Sequence, residues 1–193
     1  MPILGTLMGF SLLFGAAPLS LGNAVAPQLA PATPGYTVTL TAYNAVPAQT
    51  DDNPLETASG MFSNPEIVAA RSQNLAAKLP FGTIIELDGS NITSADTCGY
   101  SIVAPLIGYR IIADTMNARY TDRIDVLFGT KADYATAGGH KLNAANVLGI
   151  CKGVTFRVVG HVAINDMKHL PKTQSELAAL LGKSSTLALN TIK

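Results

Sequence analysis

From Tyr36 to Tyr43 the chain reads YTVTLTAY, β-branched residues alternating with Thr and Tyr in a period of two. Successive side chains of a strand point to opposite faces, so this pattern predicts a half-buried strand. LPFGTIIEL, residues 79–87, carries a Pro-containing turn into a second strand from Thr83 to Leu87. YRIIAD (109–114), RIDVLF (123–128) and VTFRVVGHVAIN (154–165) read as three more, the last being the longest. Residues 88–99 are rich in Gly, Ser, Asn and Thr and read as a loop excursion. Helical spacing is confined to short windows at 131–137 and 143–149, and to TQSELAALL (173–181), where Thr173 stands as N-cap. Short strands separated by turns, with little helix, predict a mainly β protein, a small barrel or sandwich rather than a parallel α/β sheet.

The ends of the chain follow a different pattern. Residues 1–30 carry no charged side chain and are interrupted by Gly and by Pro18. Ala24-Val25-Ala26 fits the small-x-small site of a signal peptidase, so 1–26 is expected to be an export signal. No basic residue precedes the apolar run, which leaves an uncleaved membrane anchor as the other reading. PQLAPATPG (27–35) holds three prolines and reads as an extended linker. The folded domain is expected over 36–165, followed by a helical tail over 166–193.

Composition narrows the classes of partner. Among 193 residues, 13 basic and 13 acidic side chains cancel, and only 13% of the chain is charged. Neither a nucleic-acid stripe nor a polybasic membrane patch is therefore expected. Gly129-Thr130-Lys131 lacks the upstream glycine of a phosphate-binding loop, and no strand leads into a G-x-G-x-x-G. His140, His161 and His169 have no paired-ligand spacing, so neither a metal site nor a cofactor is expected. Asp51 and Asp52, in a turn-rich loop, are most simply solvated. Two cysteines, Cys98 and Cys151, are most simply a disulfide in an exported protein. Two buried free thiols are the alternative.

The candidate chemistry lies in ADTMNARYTDRID (113–125), where Asp114 and Asp125 each adjoin an apolar run. In RIDVLF the strand period puts Ile124, Val126 and Phe128 on one face and Arg123, Asp125 and Leu127 on the other. If that second face is a cleft floor, partial desolvation raises the Asp125 carboxyl pKa and favours the protonated acid that a glycosidic oxygen needs. Asp114 closes the preceding strand and is expected on a neighbouring strand, opening into the same cleft. The structural reading is that Asp114 caps a turn while Asp125 pairs with Arg123 or Arg119.

Read in order, Thr41-Ala42-Tyr43, Thr57-Ala58-Ser59-Gly60, Leu79-Pro80-Phe81-Gly82-Thr83, Ala113-Asp114-Thr115, Arg123-Ile124-Asp125-Val126 and a closing strand at Val154 to Val159 resemble the three-aspartate (3D) domain. The resemblance spans about residues 36–160. It implies a six-stranded double-psi β-barrel with short helices and a C-terminal helix, similar to membrane-bound lytic transglycosylase A, rare lipoprotein A and the expansins. It also implies an extracytoplasmic protein whose partner is the peptidoglycan glycan strand, cleaved at the MurNAc–GlcNAc bond with formation of a 1,6-anhydro sugar. By the same resemblance Asp125 is the catalytic acid and base, Asp114 its catalytic support, and Tyr43, Thr57, Ser59 and Thr115 line the substrate. The chain departs from the family pattern at Arg71-Ser72, where an Asp-Pro is usual, and at Met116-Asn117, where glycines are usual. A non-catalytic glycan-binding or wall-loosening barrel of expansin type is the alternative that these departures leave open.

Overall fold

The computed structural model describes residues 35–50, 53–93, 95–166 and 168–190, with side chains to 182. The expected export segment 1–26, nearly all of the linker, and Asp51 and Asp52 lie outside the described residues. In chain order the elements are strands β1 (Tyr36–Asn44), β2 (Val68–Arg71) and β3 (Thr83–Asp88), helix α1 (Tyr100–Ile107), strands β4 (Tyr109–Thr115), β5 (Arg123–Phe128), β6 (Asp133–Ala135) and β7 (Lys141–Asn143), helix α2 (Ala144–Leu148), strand β8 (Cys151–His161) and helix α3 (Gln174–Asn190). Six of the strands close a barrel in the order β1-β5-β2-β4-β3-β8, and β6 and β7 form a separate hairpin. The pairs β1–β5 and β2–β4 are parallel and the other barrel pairs antiparallel. The mainly β, six-stranded barrel with short helices and a C-terminal helix is therefore present.

Alternation along the strands sorts apolar residues into two clusters. One draws on all six barrel strands, among them Leu40, Ala69, Ile85, Ile112, Ile124, Val126 and Phe156, and extends to Val103 and Ile107 of α1 and Leu148 of α2. The other uses opposite strand faces, with Tyr43, Ala70, Ile84, Ile111, Ala113 and Leu127, and is covered by Met61, Met116 and Leu177 of α3. A β-protein of this kind hides both faces of its strands only where loops and helices lie over the second one.

Three elements differ from the sequence expectation. Val68–Arg71 is a strand, fully buried along its length, although four residues with two alanines carry almost no β signal. Tyr100–Ile107 is helical despite Pro105. Residues 131–137 form no helix: turn residues lead into β6, and the apolar spacing there serves the hairpin. The other two helical windows hold as α2 and α3, with Asn143 capping the first by accepting from the Ala145 N–H at 3.1 Å.

Cys98 and Cys151 are disulfide-bonded, with Cα atoms 5.3 Å apart. The bridge ties the segment before α1 to the start of β8. Beside it, Gly99 donates its N–H to Leu148 O at 3.1 Å, and a Cβ at this position would lie 2.1 Å from Val147 O. Only glycine permits that approach of α1 to α2.

Candidate functional site

The site is built outward from β5. Ile124 and Val126 belong to the core. The residue between them must turn the other way, and Asp125 does, half-buried. Thr41 of β1 pairs with Asp125, Asp125 pairs with Ala70 of β2, and Ala70 pairs with Asp114 of β4. Thr41, Asp125, Ala70 and Asp114 thus form one row across four consecutive strands. The expectation of neighbouring strands is corrected here, since the short β2 runs between the two aspartates. With strands about 4.8 Å apart, the two aspartate Cα atoms are separated by roughly 10 Å. Ala70 places only a methyl group between them.

An irregularity brings Asp114 into the row. The β2–β4 register shifts between Ala69 and Ala70, so that Ala69 faces Ile112 while Ala70 faces Asp114. Strict alternation would put Asp114 on the side of Ile112, a core residue; the shift turns it toward Tyr43 instead. Its carboxylate then accepts three hydrogen bonds: from Tyr43 Oη at 2.9 Å, from the Ala58 N–H at 3.0 Å and from its neighbour's N–H at Thr115, 2.8 Å. The first two tie β1 and the Thr57–Gly60 turn to β4. Ser59 N–H adds a bond to Ala113 O at 3.0 Å.

Asp125 is held more loosely. Thr41 Oγ1 donates to its Oδ1 at 2.8 Å. Burial raises its pKa from 3.8 to about 6, against the lowering effects of the Thr41 hydrogen bond and the nearby Arg123, and Asp114 adds a smaller upward push. Arg123 and Asp125 do not form an ion pair, for the pairs among the described residues are Arg157–Glu86 and His169–Asp166. The Tyr43 hydroxyl is pushed far above its ordinary range by burial first, then by Asp114 and Asp125, and so stays a proton donor. Tyr43, Asp114 and Asp125 therefore make one electrostatic cluster.

The remaining expected site residues fall around this cluster in different roles. Thr57 is buried, and its hydroxyl donates to Met61 O at 3.1 Å and lies 3.0 Å from Ser59 Oγ. It shapes the turn. Ser59 and Thr115 are half-buried at the margin of the row. Arg71, at the departure noted above, is buried; its Nε donates to Leu79 O at 2.6 Å and its guanidinium lies over Phe81, 4.9 Å from the ring centroid. It closes the neighbouring turn and adds no carboxylate to the row.

Three participants escape a sequence reading. Thr41 could have been found, because it shares the outward face of β1 with Tyr43 in period two. Ala70 could not, since its role depends on a strand that its composition hides. Arg110 is wholly buried and in no ion pair with a described residue, and it donates to the carbonyls of Ile107 at 2.5 Å, Pro65 at 2.7 Å, Val68 at 3.3 Å and Leu127 at 3.2 Å, and to that of Leu106. Burial lowers its pKa to about 9 against smaller raising effects of Tyr43 and Glu66, and it remains a cation at neutral pH.

Among the described residues no group of three or more His, Cys, Asp or Glu side chains could hold a metal ion. The arrangement can donate and accept one proton at Asp125. No family model matches the chain, and no curated protein does.

Proposed function

We propose that the protein is a peptidoglycan lytic transglycosylase of the three-aspartate type, with Asp125 as acid and base. The observation that carries this reading is the half-buried Asp125 carboxyl, titrating near pH 6 in a row with Asp114. A general acid is most effective when its pKa lies near the working pH. Protonated, Asp125 gives its proton to the glycosidic oxygen as the bond to the anomeric carbon breaks. Ionised by that step, it takes the proton of the sugar's own C6 hydroxyl as that oxygen closes onto the anomeric carbon. Atoms balance without water: one bond breaks, one forms, and the proton lost by Asp125 returns to it.

Asp114 supports this assignment by what it is already doing. An ordinary glycosidase needs a second carboxylate to activate water or attack carbon. Asp114 is engaged by three donors and anchors the Thr57–Gly60 turn instead. One titrating carboxyl suffices only when the nucleophile is tethered, and intramolecular attack supplies a large effective molarity. The Cys98–Cys151 disulfide supports an extracytoplasmic location, where such a bond persists.

A non-catalytic glycan-binding barrel is the second reading, favoured by Arg71. Its side chain is turned to Leu79 and Phe81, so the row holds two carboxylates where the related pattern has three aspartates. Incubation with purified peptidoglycan separates the two. Release of muropeptides ending in 1,6-anhydro-MurNAc supports the transglycosylase; saturable retention on the wall without released fragments supports the binder.

A further inference from the structure

Beside Asp125 lies a feature that the cleavage step does not use. Tyr120 is half-buried against the outer apolar cluster that contains Tyr43 and Ala70. Arg119 and Arg123 both lie over its ring, each with the guanidinium carbon 4.8 Å from the centroid, and Arg119 Nη2 also donates to Tyr120 Oη at 2.9 Å. Neither arginine is in an ion pair with a described residue. The adjacent Asp122 carboxylate is not paired with either arginine; its Oδ1 accepts from Asn74 Nδ2 at 2.8 Å.

The loop that carries this cluster is fixed. Tyr120 N–H donates to Asn117 O at 3.0 Å, Arg119 N–H to Asn117 Oδ1 at 3.1 Å, Asp122 N–H to Asn74 Oδ1 at 3.1 Å, and Thr39 N–H to Asp122 O at 2.9 Å. Asp122 has φ 50°, the only positive value at a non-glycine among the described residues. Arg123 stands two residues before Asp125 on the same strand face, about 7 Å along β5. A guanidinium lying over a ring retains N–H donors for a planar anion, Arg119 committing one of its five to Tyr120, and a carboxylate can accept two parallel hydrogen bonds from such a fork.

We infer that Arg119, Tyr120 and Arg123 form a carboxylate-binding subsite that seats an acidic group of the glycan strand next to the bond facing Asp125. The inference rests on the proposed function. On a peptidoglycan strand the carboxylate has two sources, the lactyl group of the muramyl sugar and the stem peptide. Both present the same planar anion to the two arginines.

Calorimetric binding of the full chain to three soluble probes tests it: peptide-free glycan strands with free lactyl carboxylates, strands with intact stem peptides, and uncharged N-acetylglucosamine oligomers. The wild type should bind at least one acidic probe several-fold more tightly than the neutral oligomer, and only that preference should fade as salt rises. Arg119→Gln, at an exposed position, and Arg123→Gln should each weaken the acidic probe about tenfold while leaving the neutral one unchanged, the loss expected for a charge-assisted contact. The acidic probe that loses affinity identifies the source. Equal binding of all three, or acidic binding indifferent to both salt and Arg119→Gln, removes the subsite alone. Failure to bind any of the three removes the glycan reading together with it.

Discussion

Asp125 occupies a strand position whose neighbours on either side are core residues, and it faces a surface that water only partly reaches. An ionised carboxylate there gives up hydration for one hydroxyl donor, Thr41, and for nearby Arg123, which forms no ion pair with it, and that is a poor exchange. Its raised pKa is the thermodynamic record of that cost. The unfolded carboxyl titrates near 3.8 and the folded one near 6. The folded state binds the proton more tightly, so this contribution to stability is fully present below about pH 3.8 and is lost as pH rises through about 6. Asp125→Asn keeps the shape and the acceptor for Thr41 but never ionises. The variant should therefore be as stable as the wild type at pH 7 to 8 or more stable by up to about 3 kcal/mol, melting at the same temperature or higher, with the gap closing toward pH 4. Calorimetric melts across that range check it. A variant that melts well below the wild type at pH 7.5 would mean that the charged carboxylate is a structural partner.

At the scale of elements, the site depends on β2 and on what holds it. Most of the architecture was legible from hydrophobic spacing: the five longer barrel strands, α2 and the C-terminal helix announce themselves by periods of two or 3.6. Strand β2 did not, because alanine favours no pleated surface and its burial comes from neighbours far away in sequence. For the same reason the row that sets Ala70 between the two aspartates could not be read from the sequence. Helix α1 was masked by its proline, and Asp114 reaches the site only through a register shift that no pattern encodes. The buried Arg110 links these pieces, since its carbonyl partners lie in α1, in the turn before β2, in β2 itself and in β5. Arg110→Met fills the volume but leaves those buried carbonyls without their donor. A loss of about 3–5 kcal/mol in chemical denaturation is expected, far beyond an ordinary surface change. A loss under about 1 kcal/mol would show that the carbonyls find other donors and that Arg110 is not the link between α1 and β2.

For the whole molecule, the disulfide and the barrel make separate contributions. The bond closes a loop of 53 residues, worth about 4 kcal/mol in the chain-entropy treatment. Both cysteines pack in the cluster that reaches α1 and α2, whereas Tyr43 belongs to the other cluster and no hydrogen bond joins either cysteine to Thr41, Asp114 or Asp125. Replacing both cysteines by alanine should therefore lower the unfolding free energy from urea denaturation by about 4 kcal/mol, with a lower midpoint, while the Asp125 carboxyl, followed by NMR, still titrates near pH 6. An unchanged midpoint, or an Asp125 that moves back toward 3.8, would contradict the separation.

The central claim is that a single carboxyl, Asp125, splits a glycan strand by using the sugar's own hydroxyl. The most direct test is the mass of the released sugar ends when wild-type protein and Asp125→Asn are incubated with purified peptidoglycan from pH 5 to 8. The wild type should release 1,6-anhydro-muropeptides, one water lighter than hydrolytic products, at a rate that falls as pH rises through about 6 and the protonated acid disappears. Asp125→Asn should release none. Hydrolytic ends carrying the extra water, equal release by the Asn variant, or no release by the wild type at any pH would contradict it.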